Sequence, residues 1–172
     1  MRQTKEKPSE GINLSVSLLA RYPEIATIKF TPKKRTLRLS FLVNGEINAR
    51  TFRRLSTRLE DAIGAYASLK AKKPRCVRIQ MSATHEVSLV EVERDVQTID
   101  REEISLITSL LSDYFGKRMM TDEQELQPAV AQEEMVLQEE IIEEMLDSIR
   151  QAGARKGFIA MRDEGQVVVF NK

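Results

Sequence analysis

Arg50, Arg54 and Arg58 step by four residues, and Arg53 lies beside them. On a helix that spacing lines guanidinium groups along one flank. Such a ridge suits phosphates, which need closely spaced, fixed cations and accept the bidentate fork of arginine. Lys29, Arg38 and Arg78 alternate with apolar neighbours, so on strands they share the face opposite those neighbours. Lys33, Lys34 and Arg35 crown the turn that follows the first strand. These cations are the candidate nucleic-acid surface. The strand face offers no aromatic platform for stacking bases and no glycine loop for clamping a backbone, so contact would rest on phosphates and shape.

Glu91, Glu93 and Asp95 alternate along a strand and put three carboxylates on one face. Hard cations favour such oxygens, but no second motif supplies the remaining ligands. The same face carries Arg78, so cross-strand ion pairing is the simpler reading. His85 is the only histidine and Cys76 the only cysteine. A strand separates them, and nothing adjacent orients the imidazole, so the pair does not read as a catalytic dyad. No phosphate-binding glycine loop, zinc-type spacing or serine-nucleophile elbow is present. No catalytic residue, metal or cofactor is expected, and a non-enzymatic protein is the favoured reading.

A second constellation is apolar. Leu137, Ile141, Met145 and Ile149 form a row on a helix whose other surface holds Glu139, Glu140, Glu143, Glu144 and Asp147. Val167 to Phe170 is an uninterrupted apolar run, so both faces of that strand are apolar. A free hairpin of that kind is unstable and prone to associate. It must join the main sheet or pair with another chain. Leu137, Ile141, Met145, Ile149, Val168 and Phe170 are therefore the candidate dimer interface.

The elements that position these residues follow from periodicity and breakers. Residues 14–22 fit both periods; a short helix stopped by Pro23 is favoured. Segments 26–31 and 36–43 alternate at period two around Pro32 and read as a hairpin. Phe52, Leu55, Leu59, Ala62, Tyr66 and Leu69 mark an amphipathic helix over 48–72, ended before Pro74. Segments 75–82 and 86–95 form a second hairpin. Asp100 and Glu103 have capping-box spacing and open another helix, which Gly116 stops. A long acidic helix over 132–152 and a third hairpin close the chain.

The fold expected is α+β: an antiparallel sheet of hairpins with helices packed on one face, in the order α-β-β-α-β-β-α, plus a C-terminal α-β-β unit. The organisation expected is a disordered tail (1–11), a core domain (12–118), a linker (119–131) and a helix-hairpin unit (132–172) that packs on the core or dimerises.

Bulk properties agree with this scale. The chain has 172 residues, of which 41% are hydrophobic. Its net charge of +1 conceals a split: residues 1–80 hold 18 Lys and Arg against 6 Asp and Glu, and residues 81–172 hold 9 against 20. That asymmetry points to polyanion contact, to docking of the acidic helix on the basic ridge, or to both. Ile12 to Ala20 is interrupted by Asn13, Ser15 and Ser17 and follows Glu6 and Glu10, so it does not read as a signal peptide. No apolar stretch approaches the ~20 residues of a membrane span. A cytoplasmic protein without a membrane partner is expected. The function expected is an interaction or regulatory protein that self-associates as a homodimer through 132–172. RNA or DNA binding through the basic residues is the second reading, and an enzyme with a dispersed site the third.

Overall fold

The computed structural model describes residues 10–121, 131–152, 157–163 and 166–171. The chain runs α1 (Glu10–Arg21), β1 (Ile25–Thr31), β2 (Thr36–Asn44), α2 (Ala49–Leu69), β3 (Val77–Ala83), β4 (Val87–Asp95), α3 (Arg101–Phe115), α4 (Ala131–Ala152), β5 (Phe158–Asp163) and β6 (Gln166–Asn171). The fold is α+β, as the patterning predicts. The six strands form one antiparallel sheet in the order β3-β4-β2-β1-β5-β6.

Period two decides which face is buried. Ile28 and Phe30 of β1, Leu37, Leu39, Phe41 and Val43 of β2, Val90 and Val92 of β4, and Phe158 and Ala160 of β5 all enter the core. The described helices cover this face with Leu14 and Leu18 of α1, Leu55 and Leu59 of α2, Ile104 and Ile107 of α3, and Ile142 and Leu146 of α4. Removing that much aliphatic surface from water is the main stabilising term.

The helix ends follow their caps. The Asn48 side chain accepts from the Thr51 N–H at the start of α2, and Asp100 accepts from the Glu103 N–H at the start of α3. Residues 10–21 are helical, which settles the ambiguity of that segment in favour of a helix. Tyr66 ties α2 to α3 by donating to Asp100 at 2.8 Å.

The C-terminal unit joins the main sheet. β5 pairs with β1 and extends it, and Phe158 stacks on Phe30 with ring centroids 5.6 Å apart. Arginines fasten this unit to the rest. Arg162 donates to the backbone carbonyls of Leu19, Ile25 and Tyr22. Arg150 donates to the carbonyls of Val96 and Ile99. Glu139 of α4 pairs with Arg21 at 3.1 Å and with Arg101 at 3.4 Å.

Three expectations change. The acidic side of α4 meets Arg21 of α1 and Arg101 of α3, and the α2 ridge stays exposed. The seam of α4 that enters the core is Ile142, Leu146 and Ile149, at steps of four and three. That rotation buries Ile149, which is therefore unavailable to a second chain. The stretch expected as a linker begins inside the fold: Met119 bridges to Val43, and the Met120 N–H donates to the Leu42 carbonyl. Residues 1–9 and 122–130 of the expected tail and linker lie outside the described residues.

Candidate interaction surface

The face of the sheet turned away from the helices carries two complete cross-strand rows. In the first, Arg78, Glu93, Arg38, Lys29, Ile159 and Phe170 stand side by side across all six strands. In the second, Gln80, Glu91, Ser40, Thr27, Met161 and Val168 do the same. Both rows are polar from β3 to β1 and apolar on β5 and β6. The line of change runs between β1 and β5, where the C-terminal hairpin adds to the sheet.

In the polar half Arg38 takes both carboxylates, and Lys29 and Arg78 form no ion pair among the described residues. Arg38 Nη2 lies 2.6 Å from Glu93 Oε2, and Nη1 lies 3.5 Å from Glu91 Oε2. The Glu93 hydrogen bond holds the Arg38 guanidinium above its ordinary pKa, against the opposing effect of burial. Burial alone would raise the Glu93 carboxyl; the Arg38 hydrogen bond and charge outweigh it and hold the group below the usual carboxylate range. Two of the three carboxylates considered as metal ligands are thus committed to Arg38. The third, Asp95, accepts from the Arg75 and Cys76 N–H groups at 3.1 Å and from the Thr98 hydroxyl at 2.7 Å. Among the described residues no group of three His, Cys, Asp or Glu is placed to hold a metal ion.

Arg94 is the residue that sequence reasoning missed. It continues the inward series Val90, Val92 on β4 and is fully buried beneath α3. Its guanidinium grips Glu103 through two hydrogen bonds of 2.8 Å and also donates to Asp95, to Thr98 and to the Cys76 carbonyl. Burial disfavours the charged form, but the Glu103 hydrogen bonds win, and Arg94 is held above its ordinary pKa. The signal was available: an arginine at a core position of an alternating strand requires a buried carboxylate. The cluster is enclosed and ties β4 to α3.

The apolar half of the open face is not covered by anything among the described residues. Ile159, Met161 and Val168 are half-buried, and Phe170 is 51% exposed. β6 is also an edge strand, with β5 on one side and no described strand on the other. Its sequence, Gln166–Asn171, contains no charge and no proline. The opposite edge, β3, carries Arg78 and exposes alternate residues. Charged residues are the common protection of a sheet edge, and β6 lacks them.

No protein-family model, no curated protein and no solved structure matches this chain. Any functional reading therefore rests on the surfaces themselves.

The remaining candidate residues fall on separate parts of the molecule. Lys33, Lys34 and Arg35 are exposed at the β1–β2 turn. Arg50, Arg53, Arg54 and Arg58 are exposed on α2, in the helix layer behind the sheet. Lys29, Arg38 and Arg78 lie on the open face. The ten cations therefore do not form one patch. The six apolar candidates also separate. Leu137 and Ile141 are exposed on α4, Met145 packs at the rim of the core, Ile149 is inside it, and Val168 and Phe170 sit on the open face. His85 is 98% exposed in the β3–β4 turn, 3.4 Å from Glu46, at the opposite end of β3 from Cys76. That separation excludes direct chemistry between the two.

Proposed function

We propose that this chain is a non-enzymatic interaction protein that self-associates by sheet extension, with β6 of one copy pairing antiparallel with β6 of another. The observation that carries the reading is the uncharged β6 edge, whose Val168 and Phe170 continue the apolar patch of Ile159 and Met161. An edge strand presents unpaired N–H and C=O groups, and main-chain pairing satisfies them. A two-fold contact is self-complementary, so one uncharged strand can serve both partners without like-charge repulsion. The joined sheet brings the two apolar patches together on one face and removes Phe170 from water.

Relative to the expected interface, this reading keeps Val168 and Phe170 and adds Ile159 and Met161. Ile149 leaves it because its own core holds it. Sedimentation equilibrium of the full chain, beside the Val168→Lys/Phe170→Lys variant, tests the proposal. A concentration-dependent dimer that the two lysines abolish supports it. A dimer that survives both lysines removes β6 from the contact.

A further inference from the structure

The described arginines differ in what they reach: Arg35, Arg118 and Arg162 donate to backbone carbonyls, and Arg75 and Arg78 stand singly on and beside β3. Arg21, Arg38, Arg94, Arg101 and Arg150 each reach a carboxylate. Arg50, Arg53, Arg54 and Arg58 of α2 are exposed, and none forms an ion pair among the described residues. Arg54 follows Arg50 by four residues and Arg58 follows Arg54 by four, so like charges neighbour each other along the flank. The first turn of α2 contains no acidic residue, and the ridge lies in the half of the helix where the macrodipole is already positive. Both features oppose folding. On α4 Glu139 is paired with both Arg21 and Arg101. On α2 the acids Glu60 and Asp61 lie beyond the ridge, with Asp61 one turn past Arg58, and no described carboxylate forms an ion pair with Arg50, Arg53, Arg54 or Arg58.

We infer that the outer face of α2 is a docking surface for the phosphodiester backbone of double-stranded nucleic acid. The ligand supplies the negative charge that the fold withholds. From Arg50 to Arg58 the helix advances roughly 12 Å, which sets the cations along a line that can follow a row of phosphates. Duplex is favoured over single strand because the exposed flank offers no aromatic ring to stack an unpaired base; Phe52, the one aromatic in this half of α2, packs against the core. Binding is through backbone charge, without base readout. Arg118 adds a cation near the same helix end: its Nε donates to the Asn44 carbonyl at 3.0 Å, four residues ahead of the Asn48 cap. This surface lies in the helix layer, apart from β6, so it does not depend on self-association.

Fluorescence anisotropy of labelled, mixed-sequence duplex DNA, duplex RNA and single-stranded RNA with the full chain tests the inference across a salt series. Both duplexes bind, more tightly than the single strand, and affinity falls as salt rises. Arg50→Gln/Arg54→Gln/Arg58→Gln weakens duplex binding about tenfold or more and flattens the salt slope by about three. The matching triple Lys variant retains most of the binding, which separates lost charge from a lost fold. Lys73→Gln/Arg75→Gln, exposed beyond the far end of α2, binds nearly like the parent. Duplex binding that is absent, unchanged in the triple Gln variant, or reduced as much by the Lys73/Arg75 variant overturns the assignment.

Discussion

Lys29 of β1 stands directly opposite Ile159 of β5, and that pair marks where the open face of the sheet changes from charged to apolar. On the Lys29 side, Arg38 is paired with Glu93 and Glu91. On the Ile159 side, the next neighbour is the half-exposed Phe170 on an unprotected edge. The two halves of one surface thus differ in what they still require. In the charged half the acids are matched by Arg38 and the spare cations Lys29 and Arg78 can remain in water, whereas the apolar half gains by leaving it.

The buried Arg94–Glu103 pair governs the stability of the β4–α3 junction. Replacing Glu103 by Ala leaves a guanidinium in the core without its two hydrogen bonds to that carboxylate. The expected loss is about 3–5 kcal/mol, measured by urea denaturation. The double replacement Arg94→Met/Glu103→Leu removes both charges and is expected to cost much less than Glu103→Ala alone.

Acid weakens the fold through Glu93, Asp95 and Asp100. For each, burial would raise the pKa, but hydrogen bonds and nearby cations outweigh it and hold the group below its ordinary value: Arg38 at Glu93, Thr98 and the Cys76 N–H at Asp95, and the Glu103 N–H and Lys72 at Asp100. Unfolded carboxylates titrate near 3.9–4.3. A folded pKa below that range stabilises the native state at higher pH and loses the contribution as pH falls through the folded value. The contribution of these three groups to the urea midpoint should therefore be constant above about pH 5 and be lost below about pH 4, while Glu103, which burial holds above the usual carboxylate range, acts with the opposite sign. Asp95→Asn should lower the neutral-pH midpoint and shallow the acid limb.

Gly64 is exposed in the middle of α2, and a Cβ added there meets nothing within 4 Å. Ala removes backbone freedom from the unfolded chain at no steric cost. Gly64→Ala should stabilise the protein by about 0.5–1 kcal/mol, visible as a higher thermal midpoint.

Arg50→Glu separates stability from binding. An acid in the first turn of α2 complements the helix dipole and relieves the repulsion with Arg54. A gain of about 0.3–1 kcal/mol in stability is expected at low salt, shrinking as salt rises. The same variant should bind duplex nucleic acid less tightly. A loss of stability on this substitution would mean that Arg50 has a structural partner.

Much of this architecture was legible because alternation and helical periodicity are local. Leu37, Leu39, Phe41 and Val43 announced the inner face of β2, and Asp100 with Glu103 announced the start of α3. The site was less legible because it depends on strand order, which is not local. Glu93 faces Arg78 on one side and Arg38 on the other, and only the structure shows that Arg38 takes it. Val167 to Phe170 has no polar side to alternate with, so its two faces could not be told apart until β5 was seen beside β1. The band on α4 was too wide to fix its inward seam, and the Ile142, Leu146 and Ile149 side won over the row through Leu137 and Ile141.

Amide hydrogen exchange of β6, followed against protein concentration, tests the central claim most directly. If β6 pairs with β6 of a second copy, the amides that β5 leaves free become protected as concentration rises, while those on the outer edge of β3 do not change. Rapid exchange of those β6 amides at every concentration would contradict the account.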